Sequence, residues 1–368
     1  YEIESRFGTK EEFHELLDEL HQRGMKFIMD FVPNHWSNRH ETFQDAINNP
    51  NSEYRDWYNF RHYPDDYECF FKVREMPQIN LRNKDARKYM IDAACYWVNF
   101  GVDGLRIDYA IGPTPDFWAD LRRAIKNTKP DCWIFGEVID PPDSQQALVG
   151  LMDGCLDFHL LEFLRKTMGG EEWDLCKFSA FLVKHLSFFP TDFILPSMLD
   201  NHDMDRFLWI AGNDIRRLKL GALIQCFLPN PPFLYYGTEV GLSQNCGIRT
   251  VYGGHGHLGE ARLPMLWGEK QDHELYEYFQ QLYQLRKNLV FYKHRGVSVK
   301  HVTSTEMILD LENNPTIELV INIAQEDKHF DLENSTSSSW FGSSAIEMKK
   351  DQKNLHFDLP PYSGVILY

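Results

Sequence analysis

The chain has 368 residues, of which 43% are hydrophobic, so it can bury a large core and its composition argues against a disordered protein. Its formal net charge of −16 at pH 7 argues against nucleic acids and anionic membranes as partners and leaves neutral ligands open. The seven cysteines are scattered without a CxxC pair, which predicts mostly buried thiols in a reducing compartment rather than a disulfide framework or a zinc knuckle. Because no uncharged stretch approaches the roughly 20 apolar residues of a membrane helix and no signal peptide is visible, we expect a cytoplasmic protein.

Helices and strands alternate along most of the chain. Thr9 and Glu12 form a capping-box pattern ahead of a helix that ends near Gly24, and the apolar run 25–32 follows with the length of a buried parallel strand. Six strands are predicted in this way, at residues 25–32, 101–108, 132–138, 154–160, 193–199 and 231–237. Further helices are predicted at 84–100, 116–127, 172–186 and 214–227, with a last long helix from about Leu275 to Leu285.

Aromatic residues make up 14% of the chain and are concentrated in residues 54–71, "YRDWYNFRHYPDDYECFF". Such a segment can stack against sugars, or its rings can simply pack into a compact aromatic subdomain. Both interpretations remain open at this point.

Alternating β and α units on a parallel sheet are typical of either a barrel or a doubly wound sheet. No glycine-rich phosphate loop follows any predicted strand, which favours the barrel. From about residue 296 the pattern changes to short strands separated by turn residues, which predicts a small β-sandwich.

Four of the predicted strands end in polar side chains. The segments at these strand ends are "DFVPNH" (30–35), "RID" (106–108), "GEV" (136–138) and "LDNHD" (199–203). Taken singly, each has a structural interpretation as an ion pair, a helix cap or a turn. Ionisable groups at four strand ends of one barrel are hard to explain by capping alone, because those ends meet at the barrel mouth where barrel enzymes carry their sites.

Two carboxyl groups at such a mouth suit the retaining hydrolysis of a glycosidic bond, which needs them about 5–5.5 Å apart. Arg106 lies two residues before Asp108 and on the same face of the strand, so it can hold Asp108 ionised as a nucleophile. Glu137 is expected in a drier place with a raised pKa, suited to protonating a leaving oxygen. Neutral His35 and His202 can donate to sugar hydroxyls, and Asp203 can accept from two of them.

The segments "DFVPNH", "GVDGLRIDYA", "FGEV" and "LDNHD" resemble, in order, the four signature regions of the α-amylase family of retaining α-glucan hydrolases. The segment "MPQIN" (76–80) resembles the fifth region, which closes the inserted B domain of that family. The resemblance implies a (β/α)8-type TIM barrel at 1–33 and 83–290, a B domain at 34–82 and a C-terminal β-sandwich at 291–368.

The resemblance also implies roles for individual residues. Asp108 is implied as the nucleophile, Glu137 as the acid/base and Asp203 as the third acid. The implied substrate-binding residues are His35, Arg106, Tyr109, Asn201 and His202, with Asp30 and Asn34 supporting the site. Family members can bind a structural Ca²⁺ at the position of Asn34, which makes this residue a weak calcium candidate; no other cofactor is implied.

The subfamily stays open. "MPQIN" is closer to the cyclomaltodextrinase and neopullulanase branch, whereas "YAIGP" (109–113) departs from the pattern of that branch. The expected activity is hydrolysis of α-1,4-glucosidic bonds in starch, maltooligosaccharides or cyclodextrins. The alternatives are a transglycosylase or isomerase acting on maltose-like disaccharides, and a catalytically weak carbohydrate-binding relative.

The first residues, "YEIESRFGTKEEF", resemble the family stretch that follows the second barrel strand. We therefore expect an incomplete barrel without its first two strands and without the tyrosine that stacks under the reacting sugar in the family. Either the sequence is a fragment, or the chain is naturally short and covers its edges by pairing with another copy, or other segments fill the gap. Because six strands leave two open edges, a stable short chain is predicted to form a homodimer that covers them.

Overall fold

The computed structural model describes residues 1–170, 174–249, 256–289, 296–312, 314–351 and 353–368. These residues divide into two compact units, Tyr1–Leu156 and Asp157–Tyr368. The predicted boundary between barrel and sandwich, at 290/291, lies outside the described residues, and the predicted domain limits stay predictions.

The first unit is built on a four-stranded parallel sheet in the order β1-β4-β5-β6. Its strands are β1 (Ile28–Phe31), β2 (Phe60–His62), β3 (Asp66–Tyr67), β4 (Gly104–Ile107), β5 (Trp133–Gly136) and β6 (Gly154–Cys155). Its α-helices are α1 (Lys10–Gln22), α2 (Glu41–Asn48), α3 (Lys84–Phe100), α4 (Pro115–Thr128) and α5 (Pro142–Gln146). Leu105 and Ile134, neighbours on β4 and β5, are fully buried, as expected of parallel strands covered on both faces.

The capping box at the start of α1 is present as predicted. The Thr9 hydroxyl accepts from the Glu12 backbone N–H at 3.2 Å, and the Glu12 carboxylate accepts from the Thr9 N–H at 2.8 Å. Leu17 is the buried residue of this helix, whereas Leu16 is half exposed. The helix ends at Gln22, and Gly24 then takes a φ of +70°, a conformation that favours glycine.

The aromatic segment 54–71 mostly forms its own small core. The rings of Tyr58 and Tyr67 lie edge-on to Phe43 of α2, at 4.8 and 4.9 Å, and both tyrosines are buried. The interpretation as a compact aromatic subdomain therefore applies to most of the segment. Phe71, near its end, is the exception, because its ring is 75% exposed.

The second unit begins with helices around a short parallel pair of strands. The strands are β7 (Ser197–Met198) and β8 (Pro232–Phe233). The helices of this unit are α6 (Phe158–Met168), α7 (Leu175–Phe188), α8 (Phe207–Ile210), α9 (Ile215–Phe227), α10 (Leu258–Ala261) and α11 (His273–Leu289). Leu164, Phe178, Leu223 and Phe279 belong to one buried cluster that joins α6, α7, α9 and α11.

One predicted element is wrong in part. The strand expected at 154–160 covers only β6, and Phe158–Leu160 instead open α6. The Asp157 carboxylate accepts from the Leu160 N–H at 2.9 Å and so caps this helix, which explains why the apolar run leaves the extended conformation there.

The end of the second unit contains two antiparallel sheets. Their strands are β9 (Val297–Val302), β10 (Glu306–Leu311), β11 (Asn314–Asn322), β12 (Lys328–Leu332), β13 (Trp340–Gly342), β14 (Met348–Asp351), β15 (Asn354–Leu359) and β16 (Ser363–Leu367). The first sheet has the order β13-β16-β11-β10-β9 and the second the order β12-β15-β14. Val320 and Val365 of the first sheet share a buried cluster with Phe330 and Phe357 of the second, so the two sheets pack face to face as predicted for a sandwich.

The six strands predicted before this sandwich are all present, as β1 and β4 to β8. The absence of the first two strands of an eight-stranded barrel stays a prediction. Among the described residues, no helix is long and apolar enough to cross a membrane.

Candidate active site

One arginine joins three carboxylates at the ends of β1, β4 and β5. Arg106 Nη1 donates to Asp30 Oδ1 at 2.7 Å and to Asp108 Oδ1 at 2.9 Å, and its Nη2 lies 2.7 Å from Glu137 Oε1. Asp30 and Arg106 are register partners on adjacent strands, and Asp108 directly follows β4 and Glu137 follows β5. The structure therefore brings together four of the residues expected from the strand-end pattern; we call them the Arg106 cluster.

The backbone holds Asp108 and Glu137, two of the three acids of this cluster, in place. The ladder of the sheet continues past the strand ends, because the Asp108 N–H donates to Phe31 O at 3.0 Å and the Glu137 N–H to Ile107 O at 2.8 Å. The Tyr109 N–H also donates to Glu137 Oε2 at 3.3 Å. Both carboxyl groups thus project from fixed positions, which a reaction with strict geometric demands needs.

The charges of the Arg106 cluster are unequal, with one guanidinium against three carboxylates. Burial alone would lower the pKa of Arg106, but Glu137, Asp30 and Asp108 outweigh it and raise that pKa, so the guanidinium stays charged. The excess of negative charge in a partly buried place favours positive charge that develops on a bound molecule.

Aromatic rings line the neighbourhood of these acids. The His35 imidazole stacks on Phe70 at 4.1 Å between centroids, and Phe70 lies edge-on to Tyr109 at 4.8 Å. The exposed ring of Phe71 lies 5.8 Å from Tyr109. Tyr109 and Phe71 have φ values of +44° and +47°, which is strained for residues other than glycine and is found most often at functional sites.

His35 is an uncharged group near neutral pH. Burial lowers its pKa, although the charge of Asp108 works in the opposite direction. Its Nδ1 lies 3.3 Å from the Asn34 amide, and Asn34 is itself buried. His35 therefore has the neutral form expected of a donor to hydroxyl groups.

A second group of predicted residues lies together in the second unit. Asp203 Oδ1 accepts from Arg262 Nη2 at 2.7 Å, and Asp203 Oδ2 lies 3.0 Å from His202 Nε2. Asn201 Oδ1 accepts from the Asp203 N–H at 2.8 Å, so these residues also form the turn that was the structural interpretation of the motif. We call Asn201, His202, Asp203 and Arg262 the Asp203 cluster.

Asp203 is held ionised by its partners. The hydrogen bond with His202 is the largest cause of the lowered pKa of Asp203. Burial, the next largest cause, opposes it, and Arg262 adds to the lowering. Arg262 also donates from Nε to His202 O at 2.9 Å, which fixes its position. Sequence reasoning missed Arg262, since nothing in the pattern around "GEARLP" distinguishes it from a surface arginine.

Asp200, from the same motif, has a different place. It is buried, accepts from the Phe207 N–H at 2.8 Å at the start of α8, and its pKa is raised by burial. The carboxyl group of Asp200 therefore has a structural role, as acceptor for a backbone N–H at the start of a helix whose N-cap is Arg206.

The family model for the catalytic domain of alpha-amylase matches residues 1–294. The chain belongs to the alpha-amylase family. It is 37% identical over 336 residues to "Alpha-amylase 2" of Dictyoglomus thermophilum. The aligned residues cover 90% of this chain and 58% of that relative. It is 29% identical over 389 residues to a cyclomaltodextrinase of Geobacillus thermopakistaniensis, with coverages of 100% and 63%.

The chain thus spans 58–63% of the length of these curated relatives. Among solved structures, it matches an alpha-amylase from H. orenii with a TM-score of 0.83 and 23% identity, over 100% of this chain and 85% of that one. This likeness shows the fold, which is the TIM-barrel type of alpha-amylase catalytic domains.

The surroundings of Asn34 offer a calcium ion oxygen atoms but little negative charge. In this alpha-amylase family chain Asn34 Oδ1 accepts from Gln78 at 3.3 Å and borders a cavity of about 420 Å³. Among the described residues lining that cavity, Glu68 is the one carboxylate, it accepts from Asn59, and Arg82 brings a positive charge. Calcium takes six to eight oxygen ligands, which can be carboxylates, amide or backbone carbonyls and water. With one carboxylate and one arginine among these lining residues, Asn34 stays a weak calcium candidate, and no step of the proposed reaction is routed through an ion.

Proposed function

We propose that this chain is the catalytic part of a retaining glycosidase that cleaves α-1,4-glucosidic bonds of starch, maltooligosaccharides or cyclodextrins. The observation that carries the proposal is the Arg106 guanidinium bound to both Asp108 and Glu137 at adjacent strand ends in an alpha-amylase family chain. The names of the relatives, an alpha-amylase and a cyclomaltodextrinase, support an α-glucan as the substrate class.

In the proposed reaction, Asp108 attacks the anomeric carbon while Glu137 gives a proton to the leaving oxygen. The resulting glycosyl ester on Asp108 is then hydrolysed by a water that Glu137 deprotonates, so configuration is retained over two inversions. Arg106 Nη1, 2.9 Å from Asp108 Oδ1, holds this carboxylate in position for the attack.

Glu137 must be a neutral acid at the first step. Its contact with Arg106 favours the carboxylate, whereas exclusion of water by a bound sugar favours the acid. The raised pKa expected from the sequence stays a prediction, and we propose that substrate binding produces it.

Asp203 is proposed as the third acid. Its two oxygens, now bound to Arg262 and His202, can each accept from a sugar hydroxyl when those partners turn to the ligand. We propose His35, Tyr109, Asn201 and His202 as further substrate-binding residues.

The direct test measures reducing sugar released from soluble starch and maltoheptaose by the wild type, Asp108→Asn and Glu137→Gln. We expect Asp108→Asn to be inactive and Glu137→Gln to lose about 10²–10⁴-fold in kcat. Asp18→Asn, an exposed aspartate on α1, is the matched control and should keep full activity. Starch cleavage by Asp108→Asn at the wild-type rate would refute the assigned nucleophile.

A second measurement separates the two carboxyl roles. Maltosyl fluoride has a leaving group that needs no proton, so Glu137→Gln should still form the glycosyl ester from it, whereas Asp108→Asn should not. NMR of the first product from maltoheptaose should show the α-anomer, and an initial β-anomer would overturn retention. Products from maltose, β-cyclodextrin and pullulan then decide between hydrolysis and transfer and identify the preferred glucan.

A further inference from the structure

Two histidines and two aspartates form a square on one face of the three-stranded sheet. His329 on β12 is the register partner of Asp358 on β15, and Asp331 on β12 is the partner of His356 on β15. Because side chains two apart on a strand share a face, all four project from the same side. We call these four residues the His–Asp square.

The opposite face of the same two strands fixes the square in place. Phe330 and Phe357, which alternate with the square residues, are register partners, and both are buried in the sandwich core. Their rings stack at 5.7 Å between centroids. A shift of the β12–β15 register by one residue would move both rings out of the core. Burial of the two rings therefore also fixes which polar residues pair on the other face.

The ring nitrogens of both histidines converge on one carboxylate. Asp331 Oδ1 lies 3.0 Å from His329 Nε2 and 2.5 Å from His356 Nδ1. The ligand atoms of His329, Asp331 and His356 all lie within 4.8 Å of one another. Ligands of a tetrahedral zinc ion are about 3.4 Å apart, so small side-chain rotations suffice to enclose an ion.

Asp358 orients one of these histidines. Its Oδ1 lies 2.7 Å from His329 Nδ1, the nitrogen that faces away from Asp331. With the proton on Nδ1, the lone pair of Nε2 points to Asp331, where a bound cation would lie. A carboxylate behind a histidine in this way is the usual support of a zinc ligand.

We propose that the His–Asp square is a binding site for a divalent transition-metal ion and that Zn²⁺ is the ion it prefers. His329 Nε2, His356 Nδ1 and an oxygen of Asp331 supply three ligands, and water completes the coordination. Two imidazoles favour Zn²⁺ over Mg²⁺ and Ca²⁺, which prefer oxygen alone. None of these residues belongs to the Arg106 or the Asp203 cluster, so the site is independent of the proposed glycosidase chemistry.

One neighbouring charge opposes the ion. Lys349 on β14 is the register partner of His356 and shares its face of the sheet. A positive charge beside the square weakens the binding of a second cation. Removal of this charge should therefore strengthen metal binding, whereas removal of any square residue should weaken it.

Isothermal titration of the full chain with ZnCl₂ tests the proposal. The exposed Cys176 and Cys246 are changed to serine in every sample, so that thiolates on the surface do not compete. We expect one saturable site, no heat with MgCl₂ or CaCl₂, and loss of the site in His329→Gln/His356→Gln. His301→Gln, an exposed histidine on β9 near Glu306, is the matched control and should bind as before.

Two further variants make the test specific to this geometry. Asp358→Asn should bind Zn²⁺ about 10–100-fold more weakly, as expected for loss of a supporting carboxylate. Lys349→Gln should bind more tightly. The proposal is overturned if the parent shows no saturable zinc binding, or if His329→Gln/His356→Gln binds as the parent does while its circular dichroism is unchanged.

Discussion

Arg106 contacts three carboxylates through two nitrogens, so its shape matters as well as its charge. A lysine in its place would keep the charge but not the planar fork that reaches acids on three strands. We expect Arg106→Lys to lower kcat on maltooligosaccharides by about 10²–10³-fold, the usual effect of losing one electrostatic contact at a reacting centre.

The matched control for this change is Arg122→Lys. Within the described part of the chain, Arg122 forms one salt bridge, with Asp153 at 2.7 Å, and it lies outside the Arg106 cluster. Its replacement should leave kcat unchanged. The contrary result is an Arg106→Lys variant that keeps the wild-type fold by circular dichroism and a kcat within about threefold of the wild type. In that case the shape of the guanidinium group does not matter for the reaction, and the prediction is wrong.

Phe71 presents an exposed ring beside the rings of Tyr109 and Phe70. Phe70 in turn stacks on His35. Such a ring offers an apolar face to a sugar, and aromatic contacts of this kind contribute about 0.5–1.5 kcal/mol. We expect Phe71→Ala to raise KM for maltotriose by about 2–10-fold with little change in kcat. Phe7→Ala, which removes another highly exposed ring, should alter neither constant, and an unchanged KM in Phe71→Ala would exclude a contact with substrate.

Most helices and strands were predicted because helix caps, helix-ending glycines and apolar runs are each visible within a few residues of sequence. The capping box and the glycine end of α1 are read from a few neighbouring residues, and α3 was predicted with the bounds Lys84–Phe100 that the structure has. The run after Gly154 was ambiguous, because a short apolar segment fits a strand or a buried helix until the Asp157 cap is recognised.

Asp103, just before β4, ties several elements together. It accepts from the Phe27 N–H before β1 at 3.0 Å and from Lys129 after α4 at 2.7 Å, and it lies 2.7 Å from His21 of α1. Burial alone would raise its pKa, but the hydrogen bonds from Lys129, Phe27 and His21 outweigh burial and lower the pKa well below the ordinary value.

This lowered pKa makes a stability prediction with a definite sign. A carboxylate whose pKa is lower in the folded state stabilises the fold above its unfolded pKa near about 3.9, and this stabilisation is lost as the pH falls below that value. We expect Asp103→Asn to lower the free energy of unfolding by roughly 3 kcal/mol at pH 7 and by clearly less at pH 3. Urea unfolding, monitored by tryptophan fluorescence, measures the free energy of unfolding at each pH, and Asp18→Asn is the exposed control. If Asp103→Asn lowers this free energy equally at pH 7 and pH 3, the argument is contradicted.

For the whole molecule, the order of the motifs was enough to indicate the family, and the match over residues 1–294 confirms it. Long-range pairing was beyond the sequence pattern. The partners of Asp203 include Arg262, 59 positions away, and the His–Asp square depends on which strands of the sandwich pair. Contacts of this kind are set by tertiary packing rather than by local propensity.

One edge of the first unit's sheet is formed by β1. This strand lies at one end of its sheet, and among the described residues it pairs with β4 alone. Met29 of β1 also lines a mainly apolar groove of about 460 Å³ together with Ile3, Phe7, Phe13 and Leu16, and Glu2, Glu4 and Glu12 add acidic groups to its lining. An unpaired edge beside an apolar groove favours pairing with another chain, and we expect a second copy of this chain to cover it.

Sedimentation velocity at micromolar concentration tests this homodimer. We expect the wild type to sediment as a dimer and Met29→Lys as a monomer, because a charge at an edge strand opposes strand pairing and disfavours burial of the groove. Val183→Lys introduces the same charge at an exposed apolar position of α7 and should leave the dimer intact. A well-folded wild-type monomer at these concentrations would refute self-association, whereas a dimer that persists in Met29→Lys would place the interface away from β1.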